Sequence, residues 1–164
     1  MKEKFKKLYM TIAETVAEMS HARRLQVGAI VVKDDRVISM GYNGMPAGWD
    51  NNCEDTVYVI SEEVLGTDMP ALGYTQTDNG NWIKLKTKPE VLHAETNAIA
   101  KLARSSESGL DSDLFVTHSP CLDCAKIIYQ SGIKRVYYGA SYRDDAGIRF
   151  LENSGIEVEQ YIKE

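Results

Sequence analysis

The chain has 164 residues, of which 43% are hydrophobic, which is enough for one substantial core and too little for two typical domains. Its formal net charge of −5 argues against a protein that follows a long nucleic-acid backbone, because such proteins carry strongly basic faces. No apolar run reaches the length of a membrane span, and the basic N-terminus lacks the apolar middle of a secretory signal. The three cysteines fit a reducing cytoplasm better than a disulfide framework.

The N-terminal part of the chain predicts a helix and then a hairpin. Apolar residues recur at helical spacing and predict an amphipathic helix over the first twenty residues: Phe5, Leu8, Tyr9, Ile12, Val16 and Met19. Two apolar runs, 27–32 and 37–40, flank a polar turn and predict a β-hairpin. Residues 41–46 are too rich in glycine and asparagine for regular structure, so they predict a loop.

Residues from about 49 to 89 carry mixed short signals and predict an insertion whose structure the pattern does not define. After it, helices and strands alternate, with Gly132 and Gly155 at positions typical of helix C-caps. The predicted elements are a helix over 93–105, a strand over 114–117, a helix over 121–131, a strand over 135–139, a helix over 145–153 and a strand over 157–160. This alternation predicts a layered α/β domain.

The pattern with the most chemical content combines His93 and Glu95 with Pro120, Cys121 and Cys124. Zinc favours tetrahedral coordination by imidazole and thiolate, and three protein ligands leave one position for water in a catalytic site. One histidine and two cysteines meet that count. The order H-x-E followed by P-C-x-x-C is typical of zinc deaminases.

The spacing assigns different roles to these side chains. Cys121 and Cys124 are three residues apart on a predicted helix and share a face, and the field at a helix N-terminus favours the thiolate. Glu95 is two residues from His93 and does not share its face, so we expect it to carry protons rather than bind the metal.

Each residue also has a more ordinary interpretation. A single C-x-x-C occurs in structural zinc sites and in redox pairs, although a second C-x-x-C for a four-cysteine site is absent from this sequence. A histidine at a helix start is commonly a cap, and a glutamate in the first turn commonly interacts with the helix dipole. The combination in the correct order favours the catalytic interpretation over these alternatives.

Four segments together resemble deoxycytidylate deaminases of the cytidine deaminase-like superfamily: VGAIVVKDDRVISMGYNGMPAG, HAETNAIA, SPCLDCAK and SGIKRVYYGASYRDDAGIRFL. The resemblance covers most of the chain outside the insertion. It implies a three-layer α/β/α fold with a mixed five-stranded sheet. It also implies hydrolysis of dCMP to dUMP and ammonia, which supplies dUMP for thymidylate synthesis.

Carried over residue by residue, the resemblance implies that His93, Cys121 and Cys124 bind the catalytic Zn²⁺. Glu95 would take a proton from the attacking water and protonate N3 of the cytosine, and would then deliver a proton to the leaving amine.

The same resemblance implies that Asn43 contacts the substrate and that Ala94 offers backbone groups to its base. Arg23, Arg24 and Arg104 lie near the motifs and are candidates for the phosphate, and from these we assign Arg24 and Arg104 as substrate-binding residues.

Regulation is a further implication of the resemblance. The loop Gly41, Tyr42, Asn43 and Gly44 would belong to an allosteric nucleotide site, with dCTP activating and dTTP inhibiting a homo-hexamer and Mg²⁺ on the triphosphate. Some phage relatives hold a second, structural zinc, but Cys53 has too few candidate ligands nearby in the sequence, so we expect it to be a free cysteine.

Two alternatives remain open. The chain could deaminate another substrate, such as cytidine, a pterin or riboflavin precursor, or a base in RNA or DNA. It could also be a non-catalytic, zinc-stabilised sensor of a deoxynucleotide, although a structural zinc does not require Glu95.

Overall fold

A computed structural model describes residues 1–59, 68–142 and 144–163. The elements of this described part are, in order, α1 (Glu3–Ala17), β1 (Gly28–Lys33), β2 (Arg36–Tyr42), β3 (Glu54–Tyr58), β4 (Thr75–Gln76), β5 (Trp82–Thr87), α2 (Ala94–Leu102), β6 (Asp113–His118), α3 (Leu122–Gln130), β7 (Arg135–Ala140), α4 (Ala146–Asn153) and β8 (Glu157–Gln160).

A five-stranded mixed sheet forms the centre of the fold, in the order β2-β1-β6-β7-β8. The hairpin partners β1 and β2 are antiparallel, as are β1 and β6. By contrast, β6, β7 and β8 run parallel. Parallel neighbours need a crossover connection, and here α3 and α4 supply it.

Helices cover both faces of this sheet, because successive side chains of a strand point to opposite faces. Ala29 and Val31 of β1 pack with the buried residues of α2, α3 and α4. Ile30 and Val32 of the same strand pack against α1 on the other face. The three layers α1, sheet and α2–α4 confirm the predicted three-layer α/β/α fold. None of the helices in the described ranges combines the length and apolar character that a membrane span requires.

The predicted elements outside the insertion are confirmed, with ends that shift by a few residues. Gly132 and Gly155 have φ angles of 79° and 81°, the left-handed conformation expected after a helix. The predicted loop begins later than expected, because Gly41 and Tyr42 still pair with β1.

The predicted insertion contains a second, smaller sheet. Its strands β3, β5 and β4 are antiparallel and lie in that order. Residues 60–67 of the insertion lie outside the described residues. Glu54, the first residue of β3, is paired with Thr87, the last residue of β5. At this end of the small sheet, Glu54 and Thr87 contact Arg23 and Arg24, which precede β1.

Gly41 lets β2 approach the backbone of α2 closely. A Cβ atom at this position would lie 2.3 Å from the carbonyl oxygen of Ala94 and 2.5 Å from the nitrogen of Ala98. Backbone atoms cannot move aside as a flexible side chain can, so α2 would have to shift. In contrast, a Cβ atom on Gly44 would have no heavy atom within 4 Å.

We therefore expect Gly41→Ala to lower the free energy of unfolding by about 1–3 kcal/mol, the usual cost of overpacking a well-packed site. The matched variant Gly44→Ala should change it by less than about 0.5 kcal/mol, as is usual where no special feature is touched. Equilibrium unfolding in urea measures both values. Equal stabilities of the two variants would contradict the close contact between β2 and α2.

Candidate metal centre and substrate pocket

The N-termini of α2 and α3 meet at the end of the five-stranded sheet where β6 ends. His93 is the N-cap of α2, and Cys121 is the N-cap of α3; both have extended backbones, with φ and ψ of −79° and 154° for His93 and −70° and 169° for Cys121. Cys124 is the third residue of α3, one turn after Cys121. The two helix starts thus direct one imidazole and two sulfurs at the same point.

The ligand atoms have the separations of a tetrahedral metal site. Nδ1 of His93 lies 3.6 Å from Sγ of Cys121 and 3.3 Å from Sγ of Cys124, and the three ligand atoms all lie within 4.8 Å of one another. Zinc bonds of about 2.3 Å to sulfur and about 2.0 Å to nitrogen, at a tetrahedral angle, place those ligands about 3.5 Å apart. The three residues therefore fit Zn²⁺.

The two thiols differ in acidity because they share hydrogen bonds with each other and with the imidazole. Hydrogen bonds with Cys124 and then with His93 lower the pKa of Cys121 to about 4. The same hydrogen bond with Cys121, followed by burial, raises the pKa of Cys124. A coordinated divalent cation favours the thiolate of both residues.

Glu95 lies in the first turn of α2 and is only 4% exposed. Burial raises the pKa of its carboxyl group, while interactions with His93 and with the Cys124 thiol act in the opposite direction. A carboxyl group in this environment can both accept and return a proton, which is the property required of a general acid–base. Glu95 is not one of the three residues with metal-ligand spacing, but it lies in the same pocket as His93 and Cys121.

A pocket of about 290 Å³ opens over the metal centre. His93, Glu95 and Cys121 line it, and so do Arg24 and Thr87. Its remaining lining residues come from the segment before β1, the residue after β2, the insertion, the residues at and just before the start of α2, the end of β6 and the loops after β6 and β7: Ala22, Leu25, Val27, Asn43, Glu54, Val91, Ala94, His118, Ser119 and Tyr142.

Asn43 lines this pocket and organises the loop that precedes β1. Its side-chain Nδ2 donates to the carbonyl of Leu25 at 2.9 Å, and its Oδ1 accepts from the N–H of Val27 at 2.8 Å. The N–H of Asn43 also donates to the carbonyl of Val27. Ala94, the first residue of α2, is fully buried and lines the same pocket. The structure brings both predicted substrate residues to the pocket.

The candidate arginines occupy different places. Arg24 lines the pocket, and its Nη1 donates to Oγ1 of Thr87 at 2.9 Å. Arg23 instead forms an ion pair with Glu54. Arg104 follows the last turn of α2, about 15 Å along the helix direction from Ala94, and is not among the lining residues. Proximity in sequence to the motif does not bring Arg104 to the pocket, because α2 carries it away.

The predicted allosteric loop starts at the edge strand of the main sheet. Gly41 and Tyr42 end β2, and Gly44 forms two backbone hydrogen bonds with Leu92, of 3.1 Å and 2.9 Å. The side-chain amide of Asn97 donates to the carbonyl of Tyr42. Hydrogen bonds therefore join this loop to Leu92 and Asn97, which lie on either side of His93 and Glu95.

Several pocket residues carried no signal in the sequence. Glu54 and Thr87 belong to the insertion, where short mixed patterns predicted neither strand nor site. Ser119 accepts a hydrogen bond from the N–H of Tyr142 and so joins the β6–α3 connection to the loop after β7. His118, whose pKa is lowered by burial, ends β6 beside it. The P-C-x-x-C motif points to this region but not to these side chains.

The sequence matches the model of the cytidine and deoxycytidylate deaminase zinc-binding region over residues 3–140. The chain belongs to this deaminase family. Its membership confirms the predicted hydrolase class, and the zinc-binding family model agrees with the ligand geometry of His93, Cys121 and Cys124.

Named relatives in the family are similar over nearly the whole chain. Deoxycytidylate deaminase of Enterobacteria phage T4 is 35% identical over 91% of this chain and 86% of its own. The human deoxycytidylate deaminase is 34% identical over 94% and 78%. A crystal structure of the dCMP deaminase from cyanophage S-TIM5, in complex with dCMP and dUMP, matches with a TM-score of 0.77 and 41% identity over 98% of this chain and 99% of that one.

Cys53 lies outside the metal centre of this deaminase. It is 1% exposed and packs with Ala22, Met45 and Val91 in a small apolar cluster. Burial raises the pKa of its thiol. Within residues 1–59, 68–142 and 144–163, the one group of three with metal-binding spacing is that of the predicted zinc ligands. A single zinc per chain stays a prediction.

We expect the purified protein to bind about one zinc ion per chain and Cys124→Ala to reduce this value to near zero, because two remaining ligands do not hold a tetrahedral site. Zinc content after dialysis against a weak chelator measures it. Cys53→Ala is the matched control and should retain the wild-type value. A second zinc that disappears with Cys53→Ala would show that Cys53 is a ligand.

Proposed function

We propose that this protein catalyses the zinc-dependent hydrolysis of dCMP to dUMP and ammonia and thereby supplies dUMP for thymidylate synthesis. The observation that carries the proposal is the placement of Glu95 beside three zinc-ligand atoms in one pocket that also contains Arg24. The similarity to a dCMP deaminase in complex with dCMP and dUMP supports the choice of substrate.

The metal supplies Lewis acidity and activates water when bound at His93, Cys121 and Cys124. Two thiolates and a neutral imidazole offset its charge, so a nearby base has more to contribute than at a three-histidine site. Glu95 is that base. Its carboxylate accepts one proton of the attacking water and transfers it to N3 of the cytosine. It then takes the remaining proton from the new hydroxyl group on C4 and delivers it to the amino group, so that C4 becomes a carbonyl and ammonia leaves.

The pocket orients the base and the sugar around Glu95. We propose that backbone groups of Ala94, at the start of α2, contact the cytosine. Asn43 lines the same pocket and already uses its amide to hold the loop of Leu25 and Val27. Its amide oxygen has a second lone pair and its nitrogen a second hydrogen, which we assign to the substrate.

Glu95→Gln should retain zinc but lose turnover of dCMP by about 10²–10⁴-fold, because glutamine fills the same space without accepting a proton. Ammonia release and zinc content, measured on the same sample, separate the two properties.

Glu90→Gln is the matched control, since Glu90 is exposed in the segment before His93. It should retain both zinc and activity. Turnover of Glu95→Gln close to that of the wild type would contradict the assigned role of Glu95.

The wild-type enzyme should have a higher specificity constant for dCMP than for deoxycytidine, because Arg24 can bind the phosphate of the nucleotide. Arg24→Gln should reduce this preference by about tenfold or more, the range expected for a charged hydrogen bond. Arg104→Gln should leave it unchanged, since Arg104 does not line the pocket. Equal specificity constants of the wild type for the two substrates would favour the alternative of a deaminase for another cytosine compound.

We also propose regulation and assembly from the family resemblance: dCTP activating, dTTP inhibiting, Mg²⁺ on the triphosphate, and a homo-hexamer in the cytoplasm. The bonds of Gly44 to Leu92 and of Asn97 to Tyr42 support a link between the Gly41–Gly44 loop and α2. Initial rates with dCMP, measured with each triphosphate and with or without Mg²⁺, test the regulation. Light scattering measures the assembly.

A further inference from the structure

Glu54 is a fully buried carboxylate that the proposed reaction does not use. It begins β3 of the small sheet and is 1% exposed. Its Oε1 accepts hydrogen bonds from the N–H groups of Arg23 at 3.0 Å and of Arg24 at 3.2 Å, and its Oε2 accepts from the N–H of Arg23 at 3.2 Å. One side chain of the insertion thus holds the backbone of the loop before β1.

The same carboxylate also forms an ion pair with the side chain of Arg23. Nε of Arg23 donates to Oε2 of Glu54 at 3.4 Å, and Nη2 donates to the carbonyl of Glu54 and to Oδ1 of Asn52. These contacts direct the Arg23 guanidinium toward the start of β3. Its positive charge is paired with Glu54, so the buried carboxylate is compensated where it lies.

Arg24 is held at both of its ends by neighbouring residues of the small sheet. Its N–H is bound by Glu54, and its guanidinium Nη1 donates to Oγ1 of Thr87 at 2.9 Å. Glu54 and Thr87 are directly paired across β3 and β5. The distance between the two anchor points of Arg24 is therefore set by a strand pair rather than by a free loop.

The positive charge of Arg24 indicates which kind of ligand group the pocket can bind. Among the pocket-lining residues in the described part of the chain, Arg24 is the one lysine or arginine. Only Nη1 of its guanidinium is used by Thr87, and a guanidinium has five N–H donors that match the oxygens of a phosphate. An anionic group of the ligand can therefore accept hydrogen bonds from the remaining N–H donors of Arg24.

We propose that Glu54, with Thr87, is a positioning residue that sets Arg24 for the 5′-phosphate of the substrate. The small sheet of the insertion thereby determines the preference for a nucleotide over a nucleoside. This inference rests on the proposed function, because it concerns how the same pocket distinguishes dCMP from deoxycytidine.

The test compares dCMP with deoxycytidine in two variants. Glu54→Gln replaces one acceptor oxygen by an NH₂ group that faces N–H donors, so the loop of Arg24 loses part of its anchor. The KM for dCMP should rise by about tenfold, with a change in kcat of less than about twofold, because the lost interaction concerns binding rather than the chemical step. The ratio of the specificity constants for dCMP and deoxycytidine should fall by about the same factor.

Thr87→Val removes only the hydroxyl that accepts from Arg24 and keeps the shape of the side chain. It should lower the same ratio by about threefold to tenfold, as expected for one hydrogen bond to a charged group. This variant keeps the inference testable if Glu54→Gln does not fold. Glu107→Gln is the control, because Glu107 is also a carboxylate paired with an arginine, Arg36 at 3.5 Å, but does not line this pocket. The ratio for this variant should equal that of the wild type.

An unchanged ratio in the folded variants would overturn the inference, and so would an equal loss for both substrates, which indicates a structural role alone. A fall in the ratio in either variant, with the Glu107→Gln ratio unchanged, supports it. A wild-type enzyme without a preference for dCMP would instead contradict the proposed function itself, so the two failures are distinguishable.

Discussion

The site depends on the meeting of two helix N-termini at the end of the five-stranded sheet where β6 ends. Because His93 and Cys121 are the N-caps of α2 and α3, their side chains leave the backbone just before each helix begins. Nδ1 of the histidine then lies 3.3 Å from the sulfur of Cys124, one turn into α3. This geometry forms a site that fits Zn²⁺, and Glu95 lines the pocket beside it.

Close backbone packing keeps the two helices at this distance. A Cβ atom on Gly41 would lie 2.3 Å from the carbonyl oxygen of Ala94, so β2 supports the first residue of α2 directly. A Cβ atom on Gly147 in α4 would lie 2.0 Å from the carbonyl oxygen of Pro120, next to the N-cap of α3. The small sheet adds a third support, since Glu54 holds the loop that carries Arg24. The candidate zinc ligands and Arg24 are thus supported by separate parts of the fold.

The sequence predicted those parts that have a strong local pattern. Alternating and helical apolar periods identified the elements of the main domain, and the H-x-E and P-C-x-x-C spacings identified the metal centre, because ligand spacing is set by helix geometry. The insertion was not predictable in the same way, since the strands β3 and β4 are short and mostly exposed. The contacts of Glu54 with Arg23 and Arg24 span about thirty residues of sequence and depend on tertiary packing. Arg104 is close to the motif in sequence, yet a helix separates it from the pocket.

The most direct test of the central claim is X-ray absorption at the zinc edge of the zinc-loaded enzyme. The account predicts two sulfur ligands at about 2.3 Å and two nitrogen or oxygen ligands at about 2.0–2.1 Å, one from His93 and one from solvent. That set leaves the open position which hydrolysis requires. Four protein ligands, or a shell without two sulfurs, would contradict a catalytic zinc at His93, Cys121 and Cys124.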